Sequence, residues 1–122
     1  MFPKVTIKND LVSVDFSVID QLINTKPGGV RFLKNQVASV EIGPQVLKQL
    51  RGLRAPGTYA YFIIGGTYWT GWKKRSFWNA RRKYAANTIR INLKNHKYEH
   101  LVIQVADPEN LKSQLINYSR TL

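Results

Sequence analysis

GLRAPGTYAYFIIGGTYWTGWKKRSFWN, residues 52–79, is the stretch whose reading decides the fold. It opens on Gly52-Leu53-Arg54-Ala55-Pro56-Gly57-Thr58, runs through apolar residues to Ile64, and resumes after Gly65-Gly66 with Thr67-Tyr68-Trp69-Thr70. After Gly71-Trp72 it closes on Lys73-Lys74-Arg75-Ser76-Phe77-Trp78-Asn79. Two turns, the first at Gly65-Gly66 as a tight turn or bulge, thus separate three segments rich in aromatic and β-branched residues. That is the pattern of consecutive antiparallel strands.

The flanks extend the pattern. Between Lys4 and Lys8, Val5 and Ile7 alternate with polar residues; Asn9-Asp10 makes a two-residue turn, and Val12, Val14 and Phe16 continue on one face. This is a hairpin with one buried side. Ser17 is placed to cap a short helical turn over Val18–Leu22, which Lys26-Pro27-Gly28-Gly29 breaks. Val30–Leu33 reads as a strand. Val37–Ile42 reads as a better one, with Ala38, Val40 and Ile42 opposed to Val37, Ser39 and Glu41. Gly43-Pro44 starts a short helix near 44–51 whose apolar stripe is Val46, Leu47 and Leu50, and Gly52 ends it.

Residues 81–87 read as a loop. Thr88–Lys94 alternates most cleanly, with Ile89, Ile91 and Leu93 inward and Thr88, Arg90, Asn92 and Lys94 outward. Asn95-His96-Lys97 turns the chain towards Leu101, Ile103 and Val105. Asp107-Pro108-Glu109 then combines a capping carboxylate, a first-position proline and a first-turn acid, which starts a C-terminal helix near 107–118. Leu111, Leu115, Tyr118 and Leu122 share one face of it. The expectation is a mainly β protein: a β-barrel plus a C-terminal α-helix, folded as a single domain over residues 1–122.

Composition narrows the function classes. A chain of 122 residues without cysteine has no disulfide framework, thiolate nucleophile or cysteine-based zinc site. The N-terminus lacks the apolar run of a signal peptide, and the longest apolar run, Tyr59–Ile64, is far too short to span a bilayer. A soluble, cytoplasmic protein with no transmembrane segment is expected. The formal net charge is +12, and residues 42–98 hold 12 of the 19 Lys and Arg but none of the seven Asp and Glu. Such asymmetry attracts anionic partners: nucleic acid, an anionic membrane surface or an acidic protein.

Several of these segments occur together in one known group. Gly52–Thr58, Gly66-Thr67-Tyr68, Phe77-Trp78 and the ending Tyr98-Glu99-His100-Leu101-Val102-Ile103-Gln104-Val105-Ala106-Asp107-Pro108 resemble, in the same order, small bacterial pleckstrin-homology-like (PH-like) domain proteins. That group has no established activity, and the likeness covers roughly residues 10–117. It implies a strongly bent antiparallel barrel of about seven strands with a C-terminal helix plugging one end. Two departures limit what it implies about function. Where the relatives typically carry Asp after Phe-Trp, this chain has Asn79, followed by Ala80 and Arg81-Arg82-Lys83. Phosphoinositide-binding PH domains use basic residues between the first two strands, but the turn here is Asn9-Asp10, so that site is not carried over.

The candidate anion-binding residues are Lys73, Lys74, Arg75, Arg81, Arg82 and Lys83, with Trp72 beside them at a turn. If residues 75–79 form a strand, the two clusters lie about 20 Å apart at roughly 3.3 Å per residue. Bases of this kind release counterions from phosphates, and exposed Trp69, Trp72 or Tyr84 would stack on nucleobases or sit in a lipid interface. His96 and His100 flank a turn rather than share a helical face, so surface positions are expected for both, with no metal site. With no carboxylate or cysteine in residues 42–98, no general base stands near this surface and no catalytic residue or cofactor is expected. The leading expectation is a non-catalytic module for protein–protein interaction or self-association; the alternative is an electrostatic binder of nucleic acid or anionic membrane.

Overall fold

A computed structural model describes residues 2–24, 28–49, 53–60, 63–71 and 74–121; at 22–24, 48–49, 53–60, 63–64, 69–71, 74 and 117–121 it describes the backbone alone. Nine described strands form two sheets. Sheet A is the meander β1 (Lys4–Lys8), β2 (Leu11–Asp15) and β3 (Val30–Leu33). Sheet B holds β4 (Val37–Ile42), β5 (Leu53–Ala60), β6 (Ile63–Gly71), β7 (Lys74–Arg81), β8 (Thr88–Leu93) and β9 (His100–Gln104), in the order β4-β8-β9-β7-β6-β5. Helix α1 is Val18–Asn24 and α2 is Pro108–Thr121. The protein is thus mainly β with a C-terminal helix.

The expected caps are present. The Asp20 amide donates to Ser17 Oγ at 3.2 Å, which starts α1. The Asn110 amide donates to Asp107 Oδ1 at 3.1 Å, with Pro108 at the first helical position. Leu111 and Leu115 of α2 then pack into the principal core with Val12, Val14, Phe32, Phe77, Ile89, Ile91, Leu101 and Ile103. Each of these, fully buried, contributes about 1.5–3 kcal/mol of transfer free energy.

Several details differ from the sequence reading. Nine strands replace about seven, and they form two sheets that are not closed. The arrangement is also not wholly antiparallel, because β7 and β9 run parallel, with Phe77 opposite Leu101 and Trp78 opposite Val102. The chain leaves β7, skips one position to form β8, and returns antiparallel as β9 into the gap.

Gly65-Gly66 is not a turn. Both glycines are buried within β6, where Gly66 pairs with Gly57 on one side and Trp78 on the other. Gly66 has φ +116°, a conformation L side chains rarely adopt, so the pair bends a strand rather than ending it. In β4 the register slips between Val37 and Ser39. The extra residue reverses the alternation, so that Val37 joins Val40 and Ile42 on the core side.

The short helix expected near 44–51 is a 3₁₀ helix over Pro44–Gln49, with residues 50–52 outside the described part. Residues 82–87, expected as loop, form a 3₁₀ helix kinked at Tyr84. Sheet B also has a second apolar face. Val46 and Leu47 of the Pro44–Gln49 helix cover Tyr68, Trp78 and Val102 there, and the Trp78 indole N–H donates to Ser76 Oγ at 3.1 Å.

Candidate functional site

Strand β7 carries Lys74, Arg75 and Arg81 of the basic residues singled out in the sequence, and Arg82 and Lys83 follow it on a 3₁₀ helix. Phe77, Asn79 and Arg81 fall on the face towards sheet A, while Ser76, Trp78 and Ala80 fall on the other. The described Lys74 and Arg75 therefore stand at the start of the strand and Arg81 at its end. At the first end, Trp72 and Lys73 lie outside the described residues and only the backbone of Lys74 is described. Arg75 is half-buried, and its carbonyl accepts the Glu99 amide at 2.7 Å.

At the second end, Arg81 differs from the expectation. Its Nη2 donates to Asp20 Oδ1 at 2.6 Å, and the pair is 20% and 2% exposed respectively. Arg81 is therefore an internal strut between β7 and α1. Its backbone is gripped as well: Arg81 N–H donates to Gln104 Oε1, and Gln104 Nε2 donates to Arg81 O, both at 2.8 Å. Gln104 Nε2 also reaches Tyr84 O at 3.1 Å and Thr88 Oγ1 at 3.0 Å. One buried amide thus fixes the segment that presents Arg82 and Lys83.

Arg82 and Lys83 are exposed on that fixed segment. Lys83 Nζ lies 5.1 Å from the centre of the Tyr84 ring, and Phe2 meets Tyr84 edge-on at 5.0 Å. This cation–aromatic pair stands on the half of the chain that has no acid, and it can meet anionic groups. Asn79, at the position where the resemblance implies an acid, is buried at 3% exposure and faces the interior.

Both histidines are half-buried rather than on the surface. His96 joins the two sheets: its Nδ1 accepts the Tyr98 amide at 3.0 Å, and its Nε2 donates to Arg31 O at 2.7 Å. His100 lies on the second face of sheet B in a chain of polar groups. Its Nδ1 donates to Asn92 Oδ1 at 2.7 Å, and Arg90 Nη2 rests against the ring, 3.0 Å from Nε2 and 3.2 Å from Nδ1. Arg90 Nε donates to the same Asn92 oxygen at 2.9 Å, and Asn92 Nδ2 donates to Ser39 Oγ at 2.7 Å. Burial, then the Arg90 guanidinium, hold the His100 pKa below its usual 6.5, against an opposing pull from Glu99.

A groove of about 410 Å³ runs between the start of β1 and the start of α2, floored by Val5, Ile7, Val105 and Leu111 and rimmed by Asp107 and Asn110. Among the described residues no group of three His, Asp or Glu is placed to hold a metal ion. No described helix is long and apolar enough to cross a membrane.

Sequence reasoning missed Asp20, Gln104, Arg90 and His100, because each acts through a partner on another strand or helix. No family model, curated protein or solved structure matches the chain.

Proposed function

We propose that the chain is a non-catalytic, PH-like binding and assembly module that works through contact with another protein surface or a second copy of itself. The observation that carries this reading is a sheet edge, open among the described residues, beside exposed apolar residues. Sheet B ends on β5, whose described neighbour is β6, and α1 packs against both strands. On α1, Val18 is 73% exposed and Ile19 68% exposed. An edge strand offers backbone groups for pairing, and apolar side chains next to it add the desolvation that a stable contact needs. The non-catalytic part of the reading is supported by the histidines, whose ring nitrogens all meet internal partners.

Light scattering after size exclusion tests this at about 0.1 M and near 1 M salt, where screening lengths are roughly 10 and 3 Å. One defined multimer at both salts, dispersed by Val18→Glu with Ile19→Glu, is the expected result. A monomer at both salts would remove the self-association form of the proposal.

A second reading is favoured by the exposed Arg82 and Lys83 on their rigid mount. In it the acid-free half of the chain binds nucleic acid or an anionic membrane surface. That binding would weaken steeply with salt, whereas an apolar contact would not.

A further inference from the structure

The second face of sheet B places an always-charged side chain against a titratable one. Arg90 Nη2 lies 3.2 and 3.0 Å from the two ring nitrogens of His100. The register makes Asn92 the cross-strand partner of His100, and Arg90 the partner of Val102. A hydrogen on Nδ1 meets the Asn92 oxygen and leaves Nε2 unprotonated, while Arg90 Nη2 rests against the ring at nearly equal distances from both nitrogens.

The other groups on this face come from every neighbouring strand. From β4, Ser39 accepts the Asn92 amide, and Glu41 is the register partner of Arg90. Beside β9 stands Glu99, which pulls His100 weakly towards its charged form. From β7, Ser76 is the register partner of His100, while Arg75, next to it on the opposite face, accepts the Glu99 amide through its carbonyl.

We propose that Arg90 and His100 form a pH-operated latch on sheet B, in which the neutral imidazole holds the guanidinium against the sheet and the imidazolium releases it. The proton gained is on Nε2, and a cation then faces a cation at about 3 Å. His100 keeps its bond to Asn92 through Nδ1–H, so the ring stays in place and the arginine moves. Acid thus adds an imidazolium and a loosened guanidinium to a face flanked by Glu41 and Glu99. The latch does not rest on the assembly reading.

Side-chain nitrogen NMR of the whole chain, from about pH 8 to pH 5, tests the latch. The Arg90 Nε–H resonance is expected to shift and lose exchange protection in step with the titration of His100, at a midpoint below 6.5. His100→Gln presents a carbonyl to Arg90 and an amide to Asn92, so in this variant the Arg90 resonance should stay flat. An Arg90 resonance unmoved through the wild-type titration, or moving equally in the glutamine variant, overturns the latch. Should His100→Gln not fold, Arg90→Gln gives an independent reading. Removing the guanidinium must raise the His100 midpoint, and an unchanged midpoint overturns the proposal.

Discussion

Arg81 and Asp20, 61 positions apart in the chain, meet at 2.6 Å, with the carboxylate only 2% exposed. The contact fastens α1 to β7 on the inner face of sheet B. It also takes one cation out of the basic surface that composition alone would assign to binding.

Removing one partner of a buried pair leaves the other charge without compensation. Asp20→Ala should therefore cost on the order of 3 kcal/mol, and Arg81→Met a comparable amount. The double variant should recover part of that loss, because neither charge is then left alone inside. Urea unfolding of all four proteins measures the coupling, and strictly additive losses would refute a direct pair.

Gly66 tests the strand that sequence reasoning took for a turn. At φ +116° a β-carbon is strained whatever space surrounds it. Gly66→Ala should thus destabilise the fold by about 1–3 kcal/mol. In a two-residue hairpin turn the same substitution would disturb only an exposed tip. Chemical denaturation decides between them: a loss below about 0.5 kcal/mol would argue against the strand-interior placement.

What was legible in the sequence was local. Ile89, Ile91 and Leu93 alternate within six residues, and Asp107-Pro108 caps its helix within four, so neighbouring positions suffice to read them. The parallel pairing of β7 with β9 depends on which gap the returning strand fills, and no periodicity records that choice. The bulge at Val37–Ser39 is equally silent, since one extra residue exchanges the two faces without altering composition. At the basic surface, the sequence located the charges but not their partners. Asp20 and Gln104 come from distant segments to tie down Arg81, while Arg82 and Lys83, one and two positions on, are left exposed.

The lowered pKa of His100 fixes the sign of a pH dependence. Above 6.5 the imidazole is neutral in both folded and unfolded chains, and it contributes no slope. As pH falls below 6.5 the unfolded chain takes up a proton that the folded one resists, so stability declines until the folded pKa is passed. Urea midpoints between about pH 8 and pH 5 should decline less in His100→Gln than in the wild type. Equal declines would mean that other groups carry the acid sensitivity.

Charge reversal at Arg82 and Lys83 separates the two functional readings. Both side chains are exposed on a segment held by Gln104, so substituting them leaves the core packing of Tyr68, Trp78 and Val102 intact. If the basic surface meets phosphates, Arg82→Glu with Lys83→Glu should lower affinity for a single-stranded oligonucleotide at least tenfold near 0.1 M salt. The slope of log affinity against log salt should also fall by about one for each phosphate that is no longer neutralised. If the module instead assembles through α1 and the β5 edge, the same variant should keep its multimer mass by light scattering, whereas Val18→Glu with Ile19→Glu should disperse it. A variant that abolishes both oligonucleotide binding and the multimer would show that one surface serves both, with Arg82 and Lys83 lying inside the assembly interface.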